Sequence, residues 1–413
     1  MLFRLTVVYL LLEFGRPQDL IPGLASLHLP GVVSACLVLA VILSRRFDFS
    51  DKQTRLFVLL LVLMALHVPL AENQYRALMG LKYMLITFVV YFGIVMSVDT
   101  LHKFRTFITL WLGVHLFLAI HGIARQGQGV GGFLADENDF AMTLNMIVPF
   151  SFFLAQGEPK RAKKLLYTGL TGLFVLANIF TFSRGGFVGL LAVGLCCWLR
   201  SPTKLRSAFV IASLVLLVAV YAREGYWERI QSSWEEGTSA GTGEDRLYMW
   251  KFGWRMFLDN PVIGVGQDNF PVRFGDYEGD ERLYGVTRVW RVAHSLYLTL
   301  LPELGLVGGF IFFRMLYWIW RDLVGIRRST PQQFKEAQNM APTILSYAHT
   351  MEVSLIGFLV SSIFISTLYY PNFWVAMGFV VAVRRIVTRE GAGALASDKV
   401  MRPSAVRARP RPL

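Results

Sequence analysis

Long apolar runs, separated by short clusters of charged residues, are the feature that most limits how this chain can fold. A run such as 296–320 is long enough for a helix that crosses a lipid bilayer, which needs about 20 predominantly apolar residues. Hydrophobic residues make up 54% of the chain and charged residues only 17%, and the mean hydropathy is +0.48. The sequence therefore predicts an all-α, polytopic membrane protein and excludes a disordered chain or a single soluble core.

Apolar stretches bounded by charges predict about twelve transmembrane helices. They fall at 3–15, 29–44, 56–70, 78–97, 106–122, 138–155, 165–182, 185–199, 207–221, 294–318, 350–369 and 372–386. Glu13, Arg16 and Pro17 follow the first stretch in place of a small-residue cleavage site, so we interpret it as a retained helix.

Lysine and arginine in the connections predict the orientation. If the twelve spans alternate, the basic clusters of the short connections fall on one side, and the positive-inside tendency makes that side cytoplasmic. These clusters lie at 45–55, 103–105, 160–164, 200–206, 321–335 and 384–411.

Four parts follow from this topology. Residues 1–221 carry the first nine helices, and residues 222–293 form a large external segment with amphipathic helices. Residues 294–388 carry three more helices with an amphipathic cytoplasmic connection at 331–346. Residues 389–413 form a basic cytoplasmic tail that is predicted to be disordered, because it is rich in Gly, Ala, Pro and Arg and has no apolar period.

The net charge of +13 does not indicate a nucleic-acid partner. Much of the basic excess lies in short connections between apolar runs, as expected for a membrane protein, and no basic patch interleaved with exposed aromatics stands out. The three cysteines lie inside apolar runs and are interpreted as packing residues.

Polar residues at the outer ends of the spans are the candidate functional residues, because polar groups at membrane depth are costly. The first cluster, at 136–139, includes Asp136 and Asn138 at the start of a predicted helix. Helix capping is the alternative explanation for it. The second is Arg184 in the turn at 183–186, for which snorkelling at the membrane boundary is the alternative.

The third cluster begins at Arg246. Trp250, Trp254, Phe257 and Leu258 recur after it at helical spacing, which predicts a helix that packs this face against the membrane domain or its surface. A cation in a first helical turn opposes the helix dipole, so the formation and packing of this helix do not explain Arg246.

The fourth cluster places Arg288, Arg291 and His294 at the outer mouth of a span, with Glu303 further along it. A histidine can be neutral near pH 7 and accept a proton, and guanidinium groups suit diphosphate oxygens. An interfacial histidine with no catalytic role is the alternative.

The four clusters, in this order, resemble the O-antigen ligase and polymerase family of bacterial inner-membrane glycosyltransferases. The resemblance covers roughly residues 130–310, and the chain has Ser295 where the family usually has Asn. It rests on Asp136 to Ala141, Ser183-Arg184-Gly185, Arg246 to Trp250, Asn260-Pro261-x-x-Gly264-x-Gly266 with Asn269-Phe270, and His294-Ser295-x-Tyr297-Leu298 with Glu303-x-Gly305. It implies a GT-C-like fold of about a dozen helices with a large periplasmic segment between two late spans.

The resemblance also implies an activity: glycan transfer from undecaprenyl diphosphate to an acceptor hydroxyl, commonly on the lipid A core, at the periplasmic face of the inner membrane. No nucleotide sugar, other cofactor or metal ion is implied. His294 would be the general base. The candidates for holding the diphosphate are Arg184, Arg246, Arg288 and Arg291. The supporting candidates are Asp136, Asn138 and Glu303.

Three alternatives remain open from the sequence. A polymerase that joins lipid-linked repeat units, or a ligase that glycosylates protein, would carry the same motifs. A lipid-linked glycan transporter would also have about twelve spans. Transporters are expected to show paired broken helices or charges near the bilayer midplane, whereas the polar clusters here lie at the outer face.

Overall fold

The computed structural model describes residues 1–45, 47–201, 203–205, 208, 242–279, 291–333 and 341–401, and the regular elements in these ranges are all helical. Two short 3₁₀ turns occur at Ala25–Leu27 and Gly132–Leu134. The α-helices are α1 (Leu2–Gly15), α2 (Pro17–Leu20), α3 (Leu29–Ser44), α4 (Lys52–His67), α5 (Gln74–Ser97), α6 (Leu101–Ala124), α7 (Glu137–Gly157), α8 (Arg161–Phe180), α9 (Arg184–Arg200), α10 (Thr242–Asp259), α11 (Phe270–Glu278), α12 (Tyr297–Gln333), α13 (Ala341–Ser361) and α14 (Pro371–Met401).

The all-α class predicted from the sequence is confirmed. A helix lies at each predicted span except 207–221, which is outside the described residues. Within the described ranges, six helices are long and apolar enough to cross a membrane: Ala25–Ser44, Gln74–Ser97, Leu101–Ala124, Glu137–Gly157, Tyr297–Ser329 and Thr343–Ser361. The chain is thus a multi-pass membrane protein, and the count of twelve spans stays a prediction.

One predicted span ends earlier than the sequence suggested. Helix α13 stops at Ser361, whereas the apolar pattern continued to residue 369. Other hydrogen bonds take the place of the helical ones after Ser361. Thr367 Oγ1 donates to Ser362 Oγ at 2.8 Å, and the backbone carbonyl of Ser362 accepts from Leu296 N at 2.8 Å. Pro371 then begins α14. The residues between the two helices form a loop, the 362–370 loop.

At the other end of the bundle, helices extend beyond the predicted spans. Helix α12 continues to Gln333 and helix α13 begins at Ala341, so the described parts of the 331–346 connection belong to these two helices. Helix α14 extends to Met401.

Helix α7 lies at the centre of the bundle and packs against α8, α9 and α13. Its buried Asn145 donates from Nδ2 to the Gly186 carbonyl at 2.8 Å and to Ser361 Oγ at 3.0 Å. Asn178 Nδ2 in turn donates to Asn145 Oδ1 at 3.1 Å. A buried polar group is stable only when it is hydrogen-bonded, so these bonds fix how the four helices approach one another.

Helices α10 and α11 form a separate small core outside the bundle. Met249, Phe252 and Met256 of α10 are buried in it, at helical spacing. Of the face predicted from the sequence, Trp254 is 48% exposed and Leu258 is 56% exposed, so these two side chains do not pack inside the protein. Helix α10 therefore has two apolar faces, whose residues alternate along the sequence. Helix α11 packs on the face that carries Phe252.

The segment after α10 is locked to α12 through backbone hydrogen bonds. Val265 N donates to the Pro302 carbonyl at 2.9 Å, and Leu306 N donates to the Pro261 carbonyl at 2.8 Å. Gly264 and Gly305 have φ values of 77° and 61°, and a Cβ at either would collide with the backbone of the other segment. The backbone of Gly305 is not helical, so α12 is interrupted at this residue, and the Asn260-Pro261-x-x-Gly264 motif fits against the interruption.

Buried amides attach the same segment to α4 and α5. Gln267 Nε2 donates to the carbonyls of Met64 at 2.8 Å and Ala77 at 2.9 Å. Arg76 contacts Asp268 through two nitrogens, with an Nη2–Oδ1 distance of 3.0 Å. These bonds hold α10, α11 and the residues between them against the end of the bundle at which α7, α9 and α12 begin, which we call the site end.

Candidate active site

Three helices begin close together at the site end. Asn138, in the first turn of α7, accepts a hydrogen bond from Ser183 Oγ at 2.6 Å through its Oδ1 atom, and Ser183 is the N-cap of α9. The residues before α12 join them through the 362–370 loop, because Leu296 N donates to the Ser362 carbonyl. The N-terminus of a helix carries a partial positive charge, so three such termini favour an anion near this point.

His294 precedes α12, and the backbone on both sides of it is held in place. The Ala293 carbonyl accepts from Trp250 Nε1 at 3.1 Å, and buried Ser295 accepts from Leu298 N at 3.5 Å through its Oγ atom. Ser and Asn are both favoured helix caps, so Ser295 can perform this task in place of the Asn that is usual in the family. The His294 side chain is exposed, and its φ of 47° directs the chain away from helical geometry.

The surroundings of His294 lower the pKa of its imidazole below the ordinary value of 6.5. Partial removal from water is the largest cause, because it disfavours the charged ring. The positive charges of Arg246 and Arg291 lower the pKa further, whereas the negative charges of Asp136 and Asp245 raise it. The net effect is a neutral imidazole near pH 7, the form that can accept a proton.

Arg246 is the central cation of the site. Its side chain is half-buried, and its pKa is lowered first by burial and then by the positive charge of Arg184, with Asp136 opposing the shift. Two guanidinium groups held within electrostatic reach of each other repel, and an anion with several oxygens would relieve that repulsion. Arg184 itself is exposed at the first position of α9.

Arg291 and Arg288 were predicted to act with these two arginines. Arg291 Nη1 lies 3.2 Å from Asp245 Oδ2, so its guanidinium is paired within this protein while its charge still reaches His294. Arg288 lies outside the described residues.

Asp136 and Asn138 have structural roles at the start of α7. Asp136 Oδ1 accepts from Asn138 N at 2.8 Å and from Asn138 Nδ2 at 3.0 Å, which is helix capping. Asn138 then orients Ser183, the residue before Arg184. Asp136 also remains exposed and acts electrostatically on both His294 and Arg246, so the cap and the site share this residue.

Glu303 is held by a different set of contacts. It is buried, and its carboxylate accepts from Asp268 N at 2.9 Å, from Phe270 N at 3.1 Å and from the Tyr369 hydroxyl. These bonds fix the start of α11 against α12. Glu303 therefore supports the architecture around the site, and the charges that act on His294 come from other residues.

A metal ion would need several ligands of suitable type within reach of one another. In the described part of the chain, no group of three or more His, Cys, Asp or Glu side chains has that arrangement.

Phe364, in the 362–370 loop, is a site residue that was not predicted from the sequence. A Cβ at Gly185 would lie 3.1 Å from the Phe364 Cβ atom, the Trp250 ring stacks on the Phe364 ring at 6.5 Å, and the Arg246 Cζ atom lies 5.8 Å from its ring centroid. Phe364 thus touches two of the sequence motifs and, through Trp250, the residue before His294. No sequence signal pointed to it, because it lay in an apolar run predicted as a membrane span.

The described residues thus form an all-helical, multi-pass membrane protein with a histidine and several arginines at one end of the bundle. Residues 169–313 match the family model for O-antigen ligase, which confirms the resemblance found in the sequence. The match supports a transferase of the O-antigen ligase or polymerase type. It includes Arg184, Arg246, Arg291 and His294, whereas Asp136 and Phe364 lie outside it. No curated protein sequence matches the chain.

We expect Phe364→Ala to lower kcat/KM for glycan transfer about tenfold, the loss that corresponds to a desolvated cation–π contact with Arg246. Phe364→Tyr keeps the ring and should retain most of the activity. The matched control is Ile363→Ala, since the neighbouring Ile363 side chain is exposed. Equal activity in Phe364→Ala and Ile363→Ala, measured on purified protein of equal thermal stability, would show that Phe364 does not position Arg246.

Proposed function

We propose that this protein is an O-antigen ligase that transfers a glycan from undecaprenyl diphosphate to a hydroxyl of the lipid A core during lipopolysaccharide assembly. The observation that carries the proposal is the exposed His294 within electrostatic reach of Arg246 and Arg291, with Arg184 within electrostatic reach of Arg246. A neutral imidazole can take a proton from a hydroxyl, and grouped guanidinium groups can hold a diphosphate leaving group.

In the proposed reaction His294 accepts the proton of the acceptor hydroxyl. The acceptor oxygen forms a bond to the anomeric carbon while the bond from that carbon to the diphosphate oxygen breaks. Undecaprenyl diphosphate leaves with the electron pair, and the imidazolium returns its proton to solvent. A single displacement of this kind inverts the configuration at the anomeric carbon and uses no metal ion.

The arginines contribute through the leaving group. Negative charge grows on the diphosphate as the anomeric bond breaks, so cations placed at that oxygen stabilise the transition state more than the ground state. Arg246 and Arg184 already lie within electrostatic reach of each other, so little reorganisation is needed when the diphosphate binds. Arg288 is proposed for the same role from its position in the sequence.

The proposed location is the inner membrane, with the site end facing the periplasm. The basic clusters of the short connections support a cytoplasmic location for the opposite end, by the positive-inside tendency. Both proposed substrates carry lipid anchors, and a site at the mouth of the helices can be reached by each of them from the membrane.

A second candidate function within the same class is the polymerisation of lipid-linked repeat units, or the glycosylation of protein. These reactions use the same donor and the same base, and they differ in the acceptor. An assay that offers labelled lipid-linked glycan together with lipid A core, lipid-linked repeat units or an acceptor protein distinguishes them by which product becomes labelled. Label transported across vesicles without a covalent product would instead indicate a transporter.

His294→Ala should lower transfer about 10² to 10⁴-fold, the usual contribution of a positioned general base. Expression and thermal stability should stay at wild-type levels because the ring is exposed. His102→Ala, which removes an exposed histidine at the start of α6, is the matched control. Transfer near the wild-type rate in His294→Ala with both substrates present would mean that another group takes the proton.

Replacement of each site arginine by lysine should weaken transfer at two or more of the four positions by at least tenfold. Lysine keeps the charge but loses the planar fork that contacts two phosphate oxygens, so a diphosphate contact suffers and a snorkelling anchor does not. The variants are Arg184→Lys, Arg246→Lys, Arg288→Lys and Arg291→Lys. Arg125→Lys, at an exposed position on the same predicted side, should be active. Full activity in all four site variants would remove the proposed role.

The acidic limb of the pH profile of kcat/KM should lie below pH 6.5, because activity requires neutral His294 and its pKa is lowered. The Asp136 charge raises that pKa, so Asp136→Asn should move the limb to still lower pH. Asn is also a good helix cap, so the start of α7 should be preserved. A limb that stays in place or moves upward in Asp136→Asn would contradict the electrostatic contact between Asp136 and His294.

A further inference from the structure

One face of α12 is exposed along the membrane-spanning part of the helix. Phe310 is 67% exposed, Phe313 is 48% exposed and Trp320 is 43% exposed. These residues belong to a helix that is long and apolar enough to cross a membrane. Large apolar side chains on the outside of such a helix contact lipid, so this face of α12 is directed towards the bilayer.

Arg314 lies on the same exposed face, one helical turn after Phe310. Its guanidinium Cζ atom is 4.9 Å from the ring centroid of Tyr317 and 5.2 Å from that of Trp318. No carboxylate among the described residues forms an ion pair with it. A charge on the lipid-facing side of a helix is costly unless it reaches an opposite charge or water.

Two more cations converge on the same rings. Lys52 Nζ, at the start of α4, lies 3.4 Å from the Trp318 ring centroid. Arg321 has its Cζ atom 5.8 Å from both rings and donates from Nη1 to the Tyr317 hydroxyl at 3.0 Å. The three cations therefore surround one aromatic pair, in which Tyr317 is exposed and Trp318 is half-buried.

A neighbouring carboxylate, Asp322, already has other partners. Asp322 is within electrostatic reach of Lys52, but its carboxylate accepts from Gln53 at 2.7 Å and lies 3.1 Å from the Arg384 Nε atom. The group of Lys52, Arg314 and Arg321 thus keeps an excess of positive charge, and it faces outward.

The positions of Arg314 and Arg321 along α12 indicate which kind of anion could neutralise this positive charge. Arg321 is next to Asp322, whose polar cluster lies at the end of the bundle opposite the site end, and Arg314 lies seven residues, or about 10 Å, further into the span. A long arginine side chain at that depth extends towards the headgroup region, where aromatic rings are also favoured.

From this geometry we propose that Lys52, Arg314 and Arg321, arranged on Tyr317 and Trp318, form a binding site for the phosphate of an anionic phospholipid. The lipid belongs to the leaflet at the C-terminal end of α12, which the predicted topology makes the cytoplasmic leaflet. Its acyl chains lie along Phe310 and Phe313, and its phosphodiester meets the three cations.

The test compares lipid retention by the purified full-length protein. Native mass spectrometry should detect bound phosphatidylglycerol on the wild type in preference to phosphatidylcholine. A triple variant, Lys52→Gln with Arg314→Gln and Arg321→Gln, should bind phosphatidylglycerol at least tenfold more weakly, because the charge-assisted hydrogen bonds from these three side chains to the lipid phosphate are lost. The matched control, Arg161→Gln with Lys163→Gln and Lys164→Gln, removes three exposed charges on the same predicted side and should bind like the wild type.

Two further measurements keep the test decisive. Inorganic phosphate at the lipid concentration should not displace phosphatidylglycerol; displacement would mean that the site recognises free phosphate. If the triple variant loses thermal stability in the absence of added lipid, Arg314→Lys and Arg314→Gln replace it, and only Arg314→Gln should lower affinity. Equal binding by the wild type and these variants, or equal retention of phosphatidylcholine, would overturn the proposal.

Discussion

The hydrogen bonds of one buried amide determine how the centre of this protein is built. Asn145 in α7 contacts the Gly186 carbonyl of α9, the Ser361 hydroxyl of α13 and the Asn178 amide of α8. An unsatisfied amide in an apolar interior costs more free energy than most single packing contacts supply, so these bonds restrict the helices to one arrangement. Gly186 and Gly189 allow that approach, because a Cβ at either would collide with a neighbouring side chain.

The candidate active site depends on this arrangement. The contact of α7 with α9 brings their N-terminal caps together, so that Asn138 orients Ser183, the residue before Arg184, and the Arg184 charge lies within electrostatic reach of Arg246. The 362–370 loop, which follows α13, adds Phe364 beneath Arg246. A site formed by the ends of several helices is rigid because each helix is anchored deeper in the bundle, and rigid placement is what electrostatic stabilisation of a leaving group requires.

Several residues that looked functional in the sequence serve the architecture. Glu303 satisfies the backbone N–H groups of Asp268 and Phe270, and Gly264 and Gly305 let two backbone segments approach each other. A sequence motif can therefore arise because two segments far apart in the chain must pack together. Its residues need not contact a substrate. Asp136 caps α7, and its charge also reaches His294.

The sequence by itself determined the helical class, the membrane environment and most of the candidate residues, because apolar runs of bilayer length and outward clusters of charge are local properties of the chain. It could not separate Arg246, whose charge reaches both Arg184 and His294, from Arg291, which is paired with Asp245. It also gave no indication of Phe364 or of the buried face of α10, since both follow from contacts between segments far apart in the sequence. Only the tertiary structure decided these points, because the pKa of a histidine and the position of a guanidinium depend on which side chains packing brings next to them.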